Sequence, residues 1–79
     1  MTKGEWMAPK CAEALKDIGA DVVSIGDVVQ AAGLDRRNAI DRGLVFGGLK
    51  YLERIGRVER IGNEAVGVAS KWRCLEAFG

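Results

Sequence analysis

A chain of 79 residues fits one domain and is too short for two, so we predict a single domain over residues 1–79. Hydrophobic residues make up 48% of it, which excludes a disordered tail, and the longest uncharged stretches, 28–34 and 43–49, are too short to cross a membrane. The net charge of +1 does not by itself indicate a nucleic-acid partner. The first residues lack the apolar run of a secretory signal, so we expect a cytoplasmic location.

The charge is distributed unevenly along the chain. Residues 1–35 carry three lysines against six acidic residues, a net charge of −3. Residues 36–79 carry seven arginines and two lysines against five acidic residues, a net charge of +4. Because arginine suits phosphate groups and base edges, the second part is the candidate nucleic-acid surface. An ordinary solvated surface explains a difference of this size equally well.

The residue types on which most enzymes depend are scarce. The chain has no histidine, so it has no Ser/His or Cys/His arrangement, and it has no glycine-rich phosphate-binding motif. Cys11 and Cys74 do not form a CxxC pair, and we expect two small buried side chains rather than a disulfide or a zinc site. The sequence therefore predicts a protein that is not an enzyme and that uses no metal and no cofactor.

The first predicted helix is defined by apolar residues that repeat at helical spacing from Met7 to Ile18. Gly19 supplies the expected end of the helix. Because proline is tolerated in the first turn of a helix and not in its interior, Pro9 places the start near Met7 or Ala8.

A short extended piece over 21–24 precedes the second predicted helix, Ile25 to Ala32. Ser24 and Asp27 have the spacing of a capping box, with aspartate in place of the usual glutamate. Gly33 supplies the left-handed residue that ends the helix.

The third predicted helix runs on to Ile55, and Gly56 supplies its expected end. Any of three residues could cap its start: Asp35, Asn38 or Asp41. We expect one broad apolar face, which consists of Leu44, Val45, Leu49, Leu52 and Ile55. The glycine pair at 47–48 is a place where the helix could kink.

The opposite face of this helix carries Gly43, Gly47, Lys50 and Arg54. Two interpretations are open. In the first, the stripe faces DNA, because glycine lets a backbone approach a phosphate closely and the cations supply positive charge. In the second, the glycines permit close helix packing and the cations are ordinary solvated side chains.

The hydrophobic period changes after the third helix. Residues 57–61 read as a strand, 62–64 as a turn, and apolar and polar residues alternate over 66–74. We predict a hairpin whose buried face packs Val58 and Ile61 near Val68 and Trp72.

The order of these elements, with two of its segments, resembles the winged helix-turn-helix family of bacterial and phage transcription regulators. Residues 24–34 resemble the capped second helix with its glycine-leucine turn, and 49–60 resemble the end of a recognition helix that enters the wing. The resemblance implies an α+β winged helix, three helices plus a C-terminal β-hairpin wing. Gly33 and Gly56 are 23 residues apart, about two helical turns more than in the family pattern. Either an extra segment at 35–40 or a long third helix accounts for this.

The resemblance also implies a function: the third helix enters the major groove of double-stranded DNA and the hairpin flanks it, in transcription control or in phage or mobile-element DNA handling. The candidate DNA-binding residues are Arg36, Arg37, Asn38, Arg42, Gly43, Gly47, Lys50, Arg54, Arg57, Arg60, Lys71 and Arg73. Asn38 could pair with adenine or cap a helix, and the hairpin cations could contact phosphates or form cross-strand ion pairs. The alternative function is a protein-interaction module without DNA binding, and a homodimer or another protein partner also stays open.

Overall fold

The computed structural model describes residues 3–61 and 71–75 of the chain. In this part of the chain the elements are α1 (Lys3–Ile18), β1 (Val22–Ser24), α2 (Ile25–Ala31), α3 (Ala39–Arg54), β2 (Val58–Ile61) and β3 (Lys71–Cys74). The strands form one antiparallel sheet in the order β1-β3-β2. Three helices and a three-stranded sheet make an α+β domain, as predicted. The expected turn at 62–64 and the expected alternation over 66–70 lie outside the described residues.

The sheet has one side that faces the core. Trp72 of β3 is paired with Val23 of β1 and with Arg60 of β2. Because successive side chains of a strand alternate between the two sides, Val58 shares the core side with these three residues. Val23, Val58 and Trp72 are fully buried, which confirms the predicted core role of Trp72.

The prediction that Ile61 packs on the same side as Val58 was wrong. Ile61 is paired with Lys71, one residue out of phase with the row that contains Trp72. Arg60 occupies that row instead, and it is half-buried. Val58 and Ile61 are three positions apart, so strict alternation places them on opposite sides of the strand. The prediction missed this because the core-facing position between them belongs to an arginine, whose long apolar stem can occupy such a place.

The hydrophobic core lies between the helices and the core side of the sheet. Its buried residues come from every described element. The largest fully buried side chains are Trp72, Met7, Leu15, Ile25, Leu49 and Leu52. Within the described residues, no helix has the length and apolar character that a membrane crossing requires.

The first helix starts at Lys3, about one turn earlier than predicted, and Pro9 lies inside it. Proline in a helix interior removes one backbone hydrogen bond. The early start nevertheless brings Gly4 against α3, where a Cβ on Gly4 would lie only 2.7 Å from the carbonyl oxygen of Gly47. Met7 is also buried in the core. We attribute the early start to this packing, which offsets the hydrogen bond that proline removes.

The second helix begins as predicted. The hydroxyl of Ser24 accepts a hydrogen bond from the amide of Asp27 at 3.1 Å, and the Asp27 carboxylate accepts one from the amide of Ser24 at 3.1 Å. The capping box is therefore present with aspartate at its acidic position. At the other end, Gly33 has a φ of +77°, and the amide of Leu34 donates to the carbonyl of Val29.

The third helix starts at Ala39, with Asn38 as its cap. Residues 35–38 form a separate turn in which the amide of Asn38 donates to the carbonyl of Asp35. An extra segment therefore separates α2 from α3, and α3 continues without interruption through 47–48. Ile55, expected on the buried face, is 49% exposed because it lies beyond the last helical residue.

Candidate nucleic-acid interface

The polar stripe predicted on the third helix lies on the side of α3 opposite the core. Gly43, Lys50 and Arg54 are exposed and Gly47 is half-buried. The same side continues toward the start of the helix with Ile40, which is 74% exposed. None of the exposed residues of α3 is acidic. This side therefore presents two cations among small or apolar residues.

The two carboxylates of α3 are held by neighbouring parts of the chain. Asp41 and Glu53 are both half-buried. The Asp41 carboxylate accepts from the amide of Asp35 at 2.9 Å, and the Glu53 carboxylate accepts from the amide of Arg60 at 3.3 Å. Each acidic side chain thus joins α3 to the turn before it or to the strand after it, at the border of the exposed side.

A groove with a volume of about 500 Å³ runs between the first turn of α1 and the C-terminal half of α3. It is lined by Gly4, Gly47, Lys50, Tyr51, Glu53 and Arg54. The two glycines approach each other closely, since a Cβ on Gly47 would lie 3.8 Å from the Cα of Gly4. Gly47 therefore serves helix packing, as the second interpretation expected, and also borders a polar groove.

Both cations of the groove have a neighbour inside it. The Lys50 ammonium lies 3.2 Å from a carboxylate oxygen of Glu53, and the two side chains are 51% and 33% exposed. The guanidinium carbon of Arg54 lies 5.2 Å from the centre of the Tyr51 ring, within the range of a cation–π contact. Because these contacts are near solvent, each contributes little to stability, and the cations can exchange partners.

The start of α3 shows how Asn38 is used. Its side-chain oxygen accepts from the amides of Ile40 at 2.8 Å and Asp41 at 3.2 Å. A bidentate pair with adenine requires the same oxygen. Asn38 is thus a helix cap, which was one of its two predicted roles.

Three arginines surround this cap. Arg36 and Arg37 are exposed in the turn before α3, and Arg42 is half-buried in the first turn of the helix. The Arg42 guanidinium donates to the carbonyl of Arg36 at 3.1 Å. This contact brings together two of the predicted site residues and fixes the turn against the helix.

The cations of the two C-terminal strands are divided between the sides of the sheet. On the outer side, Arg73 lies 3.4 Å from the carboxylate of Glu59 on the neighbouring strand. Lys71 is exposed on the same side, and Arg57 is half-buried just before β2. The cross-strand ion pair that was predicted as an alternative is therefore present.

Arg60 lies on the core side with two aromatic rings. Its guanidinium carbon is 5.6 Å from the centre of the Phe46 ring and 6.0 Å from that of Trp72. Phe46 and Trp72 meet edge to face at 5.9 Å. Arg60 thus connects the sheet to α3 and is less exposed than a phosphate-binding side chain usually is.

The two cysteines lie in different surroundings. Burial raises the pKa of the Cys11 thiol to about 12. Burial, with a smaller contribution from the charge of Asp21, also raises the pKa of Cys74, which is half-buried. Both thiols are free, as predicted. No group of residues within 3–61 and 71–75 has the composition and geometry of a metal site.

The residues that complete the groove were not among the predicted site residues. Tyr51 precedes Arg54 by three positions, and Lys50 precedes Glu53 by three, so both pairs were detectable as helix neighbours. The place of Gly4 in the groove was not detectable, because Pro9 predicted a helix that starts only after Gly4. Comparison with protein-family models, with curated proteins and with solved structures found no match to this chain.

Proposed function

We propose that this domain is a winged helix-turn-helix module that binds double-stranded DNA, with α3 as its recognition helix and the β2–β3 region as its wing. The element order and the β1-β3-β2 sheet are compatible with that fold. In such modules the recognition helix enters the major groove, and flanking elements contact the backbone. The extra turn at 35–38 lengthens the connection between α2 and α3.

The observation that carries the proposal is the charge on the exposed side of α3. Lys50 and Arg54 are exposed there, while Asp41 and Glu53 are half-buried and bound to backbone amides. A helix can approach a polyanion closely when its exposed side carries cations and small residues. Gly43 suits such an approach, because a Cβ there would meet nothing within 4 Å.

The start of α3 is where base contacts are expected. The N-terminal residues of a recognition helix meet the base edges, and arginine pairs well with guanine. Arg42 is in the first turn of α3, and Arg36 and Arg37 are exposed beside it. In this proposal Arg42 contributes to sequence preference, whereas Lys50 and Arg54 contact phosphates.

A second candidate function is a protein-interaction module. It is favoured by exposed apolar side chains, since Ile40 on α3 is 74% exposed and Trp6 on α1 is 63% exposed. Exposed aromatic and large aliphatic side chains are typical of protein interfaces. The near-neutral net charge is also compatible with this function.

Fluorescence anisotropy with a labelled mixed-sequence duplex, at two salt concentrations, separates the two functions. A DNA-binding domain loses affinity as salt rises, because phosphate contacts release counterions. Lys50→Ala and Arg54→Ala should each weaken binding to any duplex and reduce the salt slope by about 1. Arg42→Ala should instead reduce discrimination between sequences.

Lys10→Ala is the matched control, since Lys10 is an exposed lysine on α1 in the acidic part of the chain. It should leave the affinity unchanged. An equal effect of Lys10→Ala and Lys50→Ala would contradict the proposed orientation. If the intact protein shows no affinity for duplex DNA at low salt, the DNA-binding proposal is wrong and the protein-interaction function takes its place.

A further inference from the structure

We infer that the groove between α1 and α3 is a phosphate subsite, in which Arg54 and Lys50 bind one backbone phosphate and Tyr51 holds Arg54 in its binding orientation. This inference rests on the proposed DNA-binding function and assigns a specific contact to it. Tyr51 acts as a positioning residue, because its ring contacts the Arg54 guanidinium.

The Arg54 guanidinium already has a partner beside the groove. Its central carbon lies 5.2 Å from the centre of the Tyr51 ring. A cation–π contact at this distance uses the positive charge of the guanidinium and leaves its N–H donors available. Arg54 can therefore stay beside Tyr51 and donate two hydrogen bonds to a phosphate at the same time. A side chain that is already held loses less conformational entropy when it binds.

The groove also has a shape that suits a phosphate. Its volume of about 500 Å³ accommodates a phosphate group. Gly4 and Gly47 keep it open, because neither carries a side chain. A Cβ on Gly47 would lie 3.9 Å from the backbone nitrogen of Gly4, so an alanine there would occupy space in the groove without a steric clash.

Glu53 is the acidic side chain of the groove. Its carboxylate is the present partner of the Lys50 ammonium at 3.2 Å, and it lines the same groove. A phosphate in the groove replaces this carboxylate as the partner of Lys50. Glu53 therefore competes with the phosphate, and its negative charge lowers the affinity of the groove for any anion.

The variants Tyr51→Leu and Tyr51→Phe test the positioning role by duplex anisotropy at two salt concentrations. Tyr51→Leu should lower the affinity by about two- to tenfold, because Arg54 loses its support. It should leave the salt slope unchanged, since both cations are still present. Tyr51→Phe keeps the ring and should bind like the natural protein. A thermal melt of each variant shows whether it is folded.

The variants Glu53→Gln and Gly47→Ala test the groove itself. Glu53→Gln should raise the duplex affinity, a change that the loss of a structural contact would not produce. Gly47→Ala should raise the melting temperature, because alanine favours the helix, and should nevertheless lower the affinity. If duplex DNA binds and none of these variants changes the affinity, the phosphate subsite is wrong while the proposed function stands.

A titration with inorganic phosphate tests the groove independently of DNA. Isotope-labelled protein is titrated with sodium phosphate, with sodium chloride at equal ionic strength as the reference, and amide signals are followed by nuclear magnetic resonance. Saturable shifts at Gly47, Lys50 and Arg54 support the subsite even if no duplex binds, in which case only the proposed function fails. If neither duplex DNA nor phosphate shifts these signals, the inference is overturned.

Discussion

The substitution Gly48→Ala tests the close contact between α1 and α3. Gly48 is buried, and a Cβ at this position would lie 2.6 Å from the Cys11 sulfur, 3.1 Å from the Cβ of Met7 and 3.2 Å from the Met7 carbonyl carbon. Real Cβ atoms do not approach a neighbour as closely as 2.6 Å, so the Cys11 side chain or one of the helices must shift. An added methyl group in a packed core costs about 1–3 kcal/mol.

Two effects of opposite sign decide the outcome. Alanine stabilises a helix interior by about 1 kcal/mol relative to glycine. The steric cost at Gly48 exceeds this gain, because the Met7 backbone carbon cannot rotate away as a side-chain end can. We therefore expect Gly48→Ala to lower the free energy of unfolding by up to about 2 kcal/mol. For a domain of this size, each kcal/mol lowers the melting temperature by about 4–8 °C.

Gly43→Ala is the matched control for stability. Gly43 lies in the same helix, and a Cβ there would meet nothing within 4 Å. Gly43→Ala should raise the free energy of unfolding by up to about 1 kcal/mol, because alanine favours the helix. Urea unfolding of both variants, followed by circular dichroism, measures the difference. If Gly48→Ala is as stabilising as Gly43→Ala, α1 and α3 do not approach each other this closely.

A double variant identifies the atom responsible. Cys11→Ala removes the sulfur that makes the shortest contact. Gly48→Ala should therefore cost less in the Cys11→Ala background than in the natural chain, which a double-mutant cycle would record as coupling. Additive effects would show that the sulfur is not the obstacle.

Other substitutions test the caps and the thiols. Ser24→Ala removes half of the capping box with Asp27 and should cost about 1 kcal/mol, whereas an unchanged urea midpoint would mean that α2 does not depend on this cap. Asn38→Ala should cost about 1 kcal/mol and Asn38→Asp much less, in the same unfolding assay, and equal losses would argue against the cap. Cys11, with its pKa raised to about 12, should react with a thiol reagent at pH 8 far more slowly than Cys74, and equal rates would contradict its burial. In the unfolded chain the Cys11 thiol has the ordinary cysteine pKa of 9.0, whereas burial raises this pKa to about 12 in the folded protein. The unfolded chain therefore loses the proton first, and the free energy of unfolding should fall as the pH rises from about 9 to 12. Cys11→Ala should reduce that fall.

The local signals in the sequence were the most informative ones. Ser24 and Asp27 predicted the start of α2, because a capping box uses side chains and amides only three residues apart. Gly19, Gly33 and Gly56 predicted three left-handed positions, and all have a φ between +69° and +80°. These features depend on neighbours in sequence, so a single sequence is sufficient to detect them.

The features that depend on tertiary packing were not predictable. The sequence shows that Pro9 would remove a backbone hydrogen bond from a helix. It does not show that Gly4 packs against Gly47, which offsets that loss. Arg60 reads as a surface residue, and only the pairing with Trp72 places it on the core side of the sheet. The groove between α1 and α3 has the same origin, since its two walls are far apart in sequence.

The order of the strands in the sheet has a consequence for folding in the cell. The central strand, β3, is the last strand that the structure describes. Val22 of β1 is paired with Arg73 of β3, about fifty residues later in the chain. During synthesis, β1 and β2 are complete before the strand that joins them has been made. Trp72 enters the core at the same moment, so a nascent chain that stops before residue 71 lacks both the sheet and its largest core side chain. Long-range pairing of this kind delays folding, and we expect the domain to reach its native state only after β3 has left the ribosome.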